Sequence, residues 1–290
     1  MTQYDSKSEY LTSVAELAEL LNRKDIVLID TREPEDYIVE HIPGAINIYE
    51  IFSYLAAEEN GGYASMRAVF SKLFGDAGIC GNERVVIYED AMDNGYGRSC
   101  RGYFILRHLG HQNVSILHGG FQAWLLEDMP VTGDIPEPEK KIFSVNPDNS
   151  IILTKEEMLE SLTQPDIIKL DCRDRAEWIG ISSSPYGPEF TPRKGRIPGA
   201  IWIEWYNVMG NNGAIPWFKE AEELKTLFAQ HGITAESKVY IYCFKGARTS
   251  NMLMAMMRAG IYNVRNYLAS WNEWSRDFTL PVEQGYPKHK

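Results

Sequence analysis

The chain has no apolar run of membrane-spanning length, no closely paired cysteines and no surplus of positive charge. Each absence removes a class of function. Without about 20 consecutive apolar residues a spanning helix is not expected. The N-terminal residues Met1 to Tyr10 lack a basic stretch followed by an apolar core, so a secretory leader is not expected either. The expected setting is soluble and cytoplasmic. The four cysteines, Cys80, Cys100, Cys172 and Cys243, are widely spaced and form no CxxC pair. That pattern argues against a zinc site and against a small disulfide scaffold. The six histidines show no ligand spacing, so neither a metal nor another cofactor is expected. The net charge of −11 makes nucleic acid a poor partner, because its binding rests on phosphate neutralisation by a basic surface. A local basic pocket inside an acidic body would still select small anions.

What is present is an ordinary globular composition, 44% hydrophobic and 24% charged, over 290 residues. That length suits about two domains. The sequence repeats itself accordingly. Ile26-Val-Leu-Ile-Asp30-Thr-Arg32 followed by His41-Ile-Pro-Gly-Ala-Ile-Asn-Ile48 returns as Ile167-Ile-Lys-Leu-Asp171-Cys-Arg173 followed by Arg196-Ile-Pro-Gly-Ala-Ile-Trp-Ile203. Val85 to Tyr88 matches Val239 to Tyr242, Gly110 to Val114 matches Gly260 to Val264, and Trp124 falls opposite Trp274. Both tryptophans read as core. The offset is one domain length, about 150 residues. Strands alternating with helices in each copy predict α/β domains, each a mainly parallel sheet with helices on both faces. The expected division is 1–130, a linker at 131–149 rich in proline and charge, and 150–290.

The chemistry concentrates in Val239-Tyr-Ile-Tyr-Cys243-Phe-Lys-Gly-Ala-Arg-Thr-Ser250. A strand ending at Tyr242 and a helix starting near Thr249 leave a loop whose backbone N–H groups can point at one centre. Gly246 supplies the backbone freedom. Lys245, Arg248 and the helix start favour a thiolate at Cys243, which a buried apolar cysteine would not need. Cys243 is the expected nucleophile, with Phe244, Lys245, Gly246, Ala247, Arg248 and Thr249 as substrate contacts. The Asp-x-Arg pairs, Asp30 with Arg32 and Asp171 with Arg173, occur in both copies and read as scaffold. Asp171, Arg173, Arg175 and Arg193 are carried as supporting candidates. The segment Ile181 to Lys194 has no counterpart in the first copy and is a candidate rim or lid, with a plain surface insertion as the alternative. Gly95-Tyr-Gly97 and Gly119-Gly120 lack the six-position dinucleotide fingerprint and read as turns.

With the paired Asp-x-Arg, Ile-Pro-Gly-Ala and Cys-x-Lys-Gly-x-Arg features, the chain resembles the tandem-domain rhodaneses, the thiosulfate and mercaptopyruvate sulfurtransferases. The resemblance spans nearly the whole chain. It implies two rhodanese-like domains, a sulfur-accepting Cys243 in the second, and a first domain without a nucleophile, where Glu89 takes the cysteine position and Cys100 is a structural thiol. It also implies a small anionic sulfur donor and a cyanide or thiol acceptor. The basic loop favours thiosulfate, with mercaptopyruvate as the alternative. Certain thiosulfate-using members carry a substrate-contacting arginine where this chain has Glu177, and Arg175, Arg193 or Lys194 are the candidates to replace that charge. A cysteine-dependent phosphatase is a weaker reading, because those enzymes place the arginine one position later. A non-catalytic binding module is the remaining alternative.

Overall fold

Two parallel sheets, one in each half of the chain, carry the molecule, as the alternation of apolar strands and helices requires. The computed structural model describes residues 10–23, 25–92 and 97–287. Among them the first half runs β1 (Leu11–Thr12), α1 (Val14–Leu20), β2 (Ile26–Asp30), α2 (Pro34–Val39), β3 (Ala45–Asn47), α3 (Glu50–Ser53), α4 (Gly62–Asp76), β4 (Arg84–Tyr88), α5 (Arg98–His108), β5 (Val114–Leu117) and α6 (Gly120–Leu126). The second half runs α7 (Lys155–Glu160), β6 (Ile167–Asp171), α8 (Arg175–Trp178), β7 (Ile201–Trp202), β8 (Met209–Asn212), β9 (Ile215–Phe218), α9 (Ala221–Gln230), β10 (Lys238–Tyr242), α10 (Ala247–Arg258), β11 (Val264–Asn266) and α11 (Ser270–Trp274).

The strand orders are β1-β5-β4-β2-β3 and β11-β10-β6-β7, with every pairing in both sheets parallel. The repeat is thus a repeat of topology. Val85, Val86 and Ile87 in β4, and Val239 and Ile241 in β10, are fully buried, as central strands covered on both faces should be. Trp124 and Trp274 lie in the core, each donating its indole N–H to a backbone carbonyl, Pro130 at 2.8 Å and Pro281 at 3.0 Å.

Residues 131–149 form no helix or strand, yet they are not loose. Lys141, Asn146 and Asp148 donate backbone N–H groups to the carbonyls of Gly75, Leu109 and His108, and Phe143 is buried in the core. Lys141 also bonds Glu83 at 2.6 Å. Burial alone would raise the Glu83 carboxyl, but the Lys141 ammonium and the Cys80 amide overcome it and hold the group far below the usual carboxylate range.

The antiparallel hairpin β8–β9 has no counterpart in the first half and reaches across to it. Ile215 belongs to the first half's apolar core, Trp217 meets the His118 ring at 4.2 Å, and the Phe218 N–H donates to His118 Nε2 at 3.2 Å. The two helices α5 and α10 also abut at their starts. A Cβ on Gly97 would lie 2.7 Å from the Ala247 carbonyl, so only glycine allows this approach.

Candidate active site

The strand β10 delivers Cys243 at its carboxyl end, the end at which parallel sheets present ligand-binding loops. The helix α10 begins at Ala247, two residues earlier than the sequence pattern suggests. Gly246 makes this possible: at φ +91° it sits in the left-handed region as the residue before the helix, so the loop closes in four residues, Cys243 to Gly246. Its side of the loop is tight, since a Cβ there would meet Leu268 Cδ1 at 2.2 Å. The Gly246 N–H donates to Cys243 Sγ at 3.1 Å, and Thr249 Oγ1 lies 3.8 Å from the same sulfur. One amide therefore aims at the sulfur directly, and the start of a 12-residue helix stands behind it.

Ser270 fixes the cysteine backbone from the next turn. Its Oγ accepts from the Cys243 N–H at 3.0 Å and donates to the Tyr267 carbonyl at 2.6 Å. The carbonyls of Cys243 and Phe244 accept from Trp271 and Asn272. In the first half the carbonyls of Glu89 and Asp90 accept from Phe121 and Gln122 in the same way, which puts Glu89 at the position of Cys243. Burial lifts the Glu89 carboxyl to about 8, a group that holds its proton where a nucleophile would lose one. Cys100 is buried in α5, and burial raises its thiol well above the ordinary value, as expected for a structural cysteine.

Four residues expected to carry positive charge to the site have different fates. Arg248 is buried and bonded to carboxylates, its Nη1 2.7 Å from Glu177 and 3.1 Å from Asp174, and Nη2 3.3 Å from Glu177. Burial works against its charge, but Glu177 secures it. Its guanidinium is thereby matched by carboxylates. Arg193 donates to the carbonyls of Trp274, Ser275, Asp277 and Leu280 and so clamps the end of α11. Arg175 bonds the Tyr286 hydroxyl at 2.6 Å, and Lys194 the Ile181 carbonyl. None of these last three lines the cavity beside the sulfur.

Asp171 and Arg173 form a buried pair at 2.6 Å, and Tyr242 donates its hydroxyl to Asp171 while accepting from the Ile197 N–H. The first half repeats the pair with Asp30 and Arg32 at 2.7 Å, and Tyr88 accepts from the Ile42 N–H. These groups tie the Ile-Pro-Gly-Ala turn to the central strand in both halves, a scaffold role.

Lys245 differs from the arginines. Its Nζ lies 3.8 Å from the centre of the Phe52 ring and 5.0 Å from that of Tyr186, and no carboxylate pairs with it among the described residues. Burial, then the charges of Arg101 and Arg98, push the ammonium down to about 7. Phe52 comes from the first half and Tyr186 from the inserted segment. With Pro185, Cys243, Phe244, Ala247 and Arg248 they line a cavity of about 10 Å³ beside the sulfur. Tyr186 stacks on Phe244 at 4.5 Å and closes the opening, so Cys243 is only 1% exposed. A larger cavity, about 730 Å³, lies between the first half and the hairpin, lined by groups such as Asp90, Gln122 and Tyr206. Its described lining includes no cysteine, serine or histidine, and size alone does not make it the centre of chemistry.

Tyr186 falls in the inserted segment expected as a rim or lid, but Phe52 and Ser270 were not legible as site residues. Nothing local marks them, although the position of Ser270 opposite Gly120 in the repeat offers a signal, because both adopt left-handed backbone. Among the described residues no cluster of histidine, cysteine and carboxylate could hold a metal, and no helix is long and apolar enough to cross a membrane. The turn expected at Gly95-Tyr-Gly97 lies mostly outside the described residues, whereas Gly119-Gly120 opens α6.

A tandem α/β architecture with a cysteine loop at one strand end defines a class, and the family follows from comparison. The rhodanese-like domain matches residues 13–127 and again 154–277, and the chain belongs to that family. It is 30% identical to the thiosulfate sulfurtransferase of Bos taurus over 252 residues, 84% of this chain and 80% of that protein. It is 29% identical to that of Rattus norvegicus over 245 residues, 83% and 80% of the two chains. In structure it is similar to wild-type EanB, with a TM-score of 0.79 and 23% identity, covering 96% of this chain and 70% of that one. An EanB variant in complex with hercynine gives a TM-score of 0.84 at 24% identity, covering 96% and 70%.

Proposed function

We propose that this protein is a sulfurtransferase in which Cys243 takes the outer sulfur of thiosulfate and passes it, as a persulfide, to cyanide or a thiol. The observation that carries the reading is the Gly246 N–H bonded to Cys243 Sγ at the start of α10, with the Lys245 ammonium, which has no carboxylate partner among the described residues, in the same cavity. The Cys243 thiolate attacks the outer sulfur, the S–S bond of thiosulfate breaks, and its electron pair leaves with sulfite. The bond formed is Cys243 S–S, and the negative charge moves to the terminal sulfur, where the loop amide and helix start stabilise it. The acceptor then attacks that sulfur and releases the Cys243 thiolate. A cavity of about 10 Å³ has room for roughly one small group, which fits a terminal sulfur but not a whole thiosulfate. Donor entry on this reading displaces Tyr186 from Phe244, the rim role expected of the inserted segment.

The division 1–130, 131–149 and 150–290 goes with this reading, the first part serving the second without a nucleophile of its own. Four unpaired cysteines suit a reducing compartment such as the cytoplasm. The alternative donor, mercaptopyruvate, has one observation in its favour. Arg248 is already matched by Glu177 and Asp174, which lowers the positive charge open to a doubly charged donor.

The test is mass spectrometry of the protein after thiosulfate, with mercaptopyruvate in parallel. A gain of about 32 Da, one sulfur, on the Cys243 peptide is expected with thiosulfate and lost in Cys243→Ser. Loading by mercaptopyruvate alone would reassign the donor, and no loading by either would end the reading.

A further inference from the structure

The half without a nucleophile places a second buried cation behind Phe52, whose ring lines the sulfur cavity. Arg101, in α5, is fully buried. Its Nη1 donates to the carbonyls of Ile51 and Phe52, both at 2.9 Å, and its Nη2 to the Tyr54 carbonyl at 2.7 Å. Its buried Nε has no hydrogen-bond partner, and no carboxylate pairs with it among the described residues. A buried charge without a counter-ion is expensive unless some negative group nearby compensates it. Burial pushes Arg101 down to about 10, and the group whose negative form most supports its charge is Cys243. Arg248, by contrast, is compensated by Glu177 and Asp174. Two buried cations without a carboxylate partner among the described residues therefore meet at Phe52, Lys245 and Arg101, one from each half.

Between them stands Phe52. Its carbonyl is held by Arg101 and its ring receives the Lys245 ammonium at 3.8 Å and the Arg98 guanidinium at 4.0 Å. Arg98 is itself bonded to Glu33 at 3.0 Å. Fixing the carbonyls of Ile51, Phe52 and Tyr54 fixes where the ring lies, and the ring fixes where Lys245 presents its charge.

We propose that Arg101 is the positioning residue through which the first half serves sulfur transfer: it seats Phe52 under Lys245 and leaves its own charge to balance the anionic sulfur of Cys243. The proposal rests on Cys243 being the sulfur carrier, as argued above, but not on the identity of the donor. It assigns anion balance to Lys245 and Arg101 rather than to Arg248.

The test compares Arg101→Gln, which can still donate to a carbonyl, with Arg101→Lys, which keeps the charge. The readout is the pH dependence of Cys243 alkylation by iodoacetamide, followed on the Cys243 peptide, with circular dichroism melts to establish folding. In Arg101→Gln the alkylation midpoint should move to higher pH, making alkylation about tenfold slower at pH 7, a one-unit change in thiol ionisation. Arg101→Lys should restore most of the parent profile. A folded Arg101→Gln whose profile superimposes on the parent, or a lysine that rescues nothing, overturns the charge role. Phe52→Leu reads the positioning role with Arg101 in place, and should raise severalfold the concentration for half-maximal persulfide loading of whichever donor, thiosulfate or mercaptopyruvate, loads the parent. An unchanged value overturns that role, and this arm stands even if Arg101→Gln does not fold. Alkylation needs no sulfur donor, so the two readings fail separately. A shifted profile in a protein that thiosulfate does not load rejects the donor alone, and an unshifted profile in one that it loads rejects this inference alone.

Discussion

Ser270 holds the backbone N–H of Cys243 at 3.0 Å while its own backbone sits at φ +58°, a left-handed conformation that costs a side-chain-bearing residue about 1 kcal/mol or more. The equivalent position in the first half is Gly120 at φ +65°, where a Cβ would meet the Glu89 carbonyl at 2.6 Å. The half that carries the cysteine accepts strain to gain a hydroxyl there. Ser270→Ala keeps the strain and leaves a buried N–H without its acceptor, so stability should fall by about 1–3 kcal/mol in urea titrations. Sulfur transfer should fall further than stability explains, and Ser270→Gly should recover stability without recovering transfer.

Lys245 sets the expected pH dependence of donor binding. Its ammonium titrates at about 7, so it is charged below that pH and neutral above it. The apparent KM for an anionic donor should therefore rise as pH increases through 7. Lys245→Arg keeps its charge across this range and should flatten the profile, which steady-state rates from pH 6 to 8.5 would show. A parent KM independent of pH would contradict the assignment.

Glu177 determines how much of Arg248 is left for an anion. Glu177→Gln removes the 2.7 Å ion pair and leaves Asp174, at 3.1 Å, as the remaining carboxylate on that guanidinium. The loss of a buried partner should destabilise the fold by about 3 kcal/mol. At the same time the site becomes more positive, and the thiosulfate KM should drop severalfold. A raised KM in a folded variant would mean that Glu177 orients Arg248 for binding rather than masking it.

His118 gives the contact between the halves a pH limit. Burial, then Arg258, push its imidazole down to about 4, and its Nε2 accepts from Phe218 only when that nitrogen is unprotonated. The folded state binds this proton less readily than the unfolded chain, whose histidine titrates near 6.5. The contribution is therefore fully present above about pH 6.5 and is lost as pH falls toward 4. Urea midpoints at pH 7 and pH 5 should differ less in His118→Gln than in the parent. Equal pH sensitivity in the two would remove His118 from the account.

Much of the architecture was legible because it was written twice. The Asp-x-Arg and Ile-Pro-Gly-Ala segments predict the same strand and turn in both halves, and the same ion pair and tyrosine hydroxyl hold them there. The cysteine loop was legible because glycine, lysine and a helix start next to a strand end are local features. The carboxylate partner of Arg248 was not. Its position in the loop suggested a donor contact, while its partner Glu177 lies 71 residues earlier and meets it only when α8 packs beside α10.

The alternation of strands and helices, the duplicated turns and the place of Cys243 at a strand end follow from the amino-acid sequence alone, because periodicity, proline, glycine and charge act over a few residues. Which charges near the site are matched by carboxylates, and which rings cover the sulfur, only the tertiary structure decided. Phe52 and Arg101 come from one half, Tyr186 from an insertion in the other, and electrostatic balance in a buried site depends on distances that no local pattern encodes.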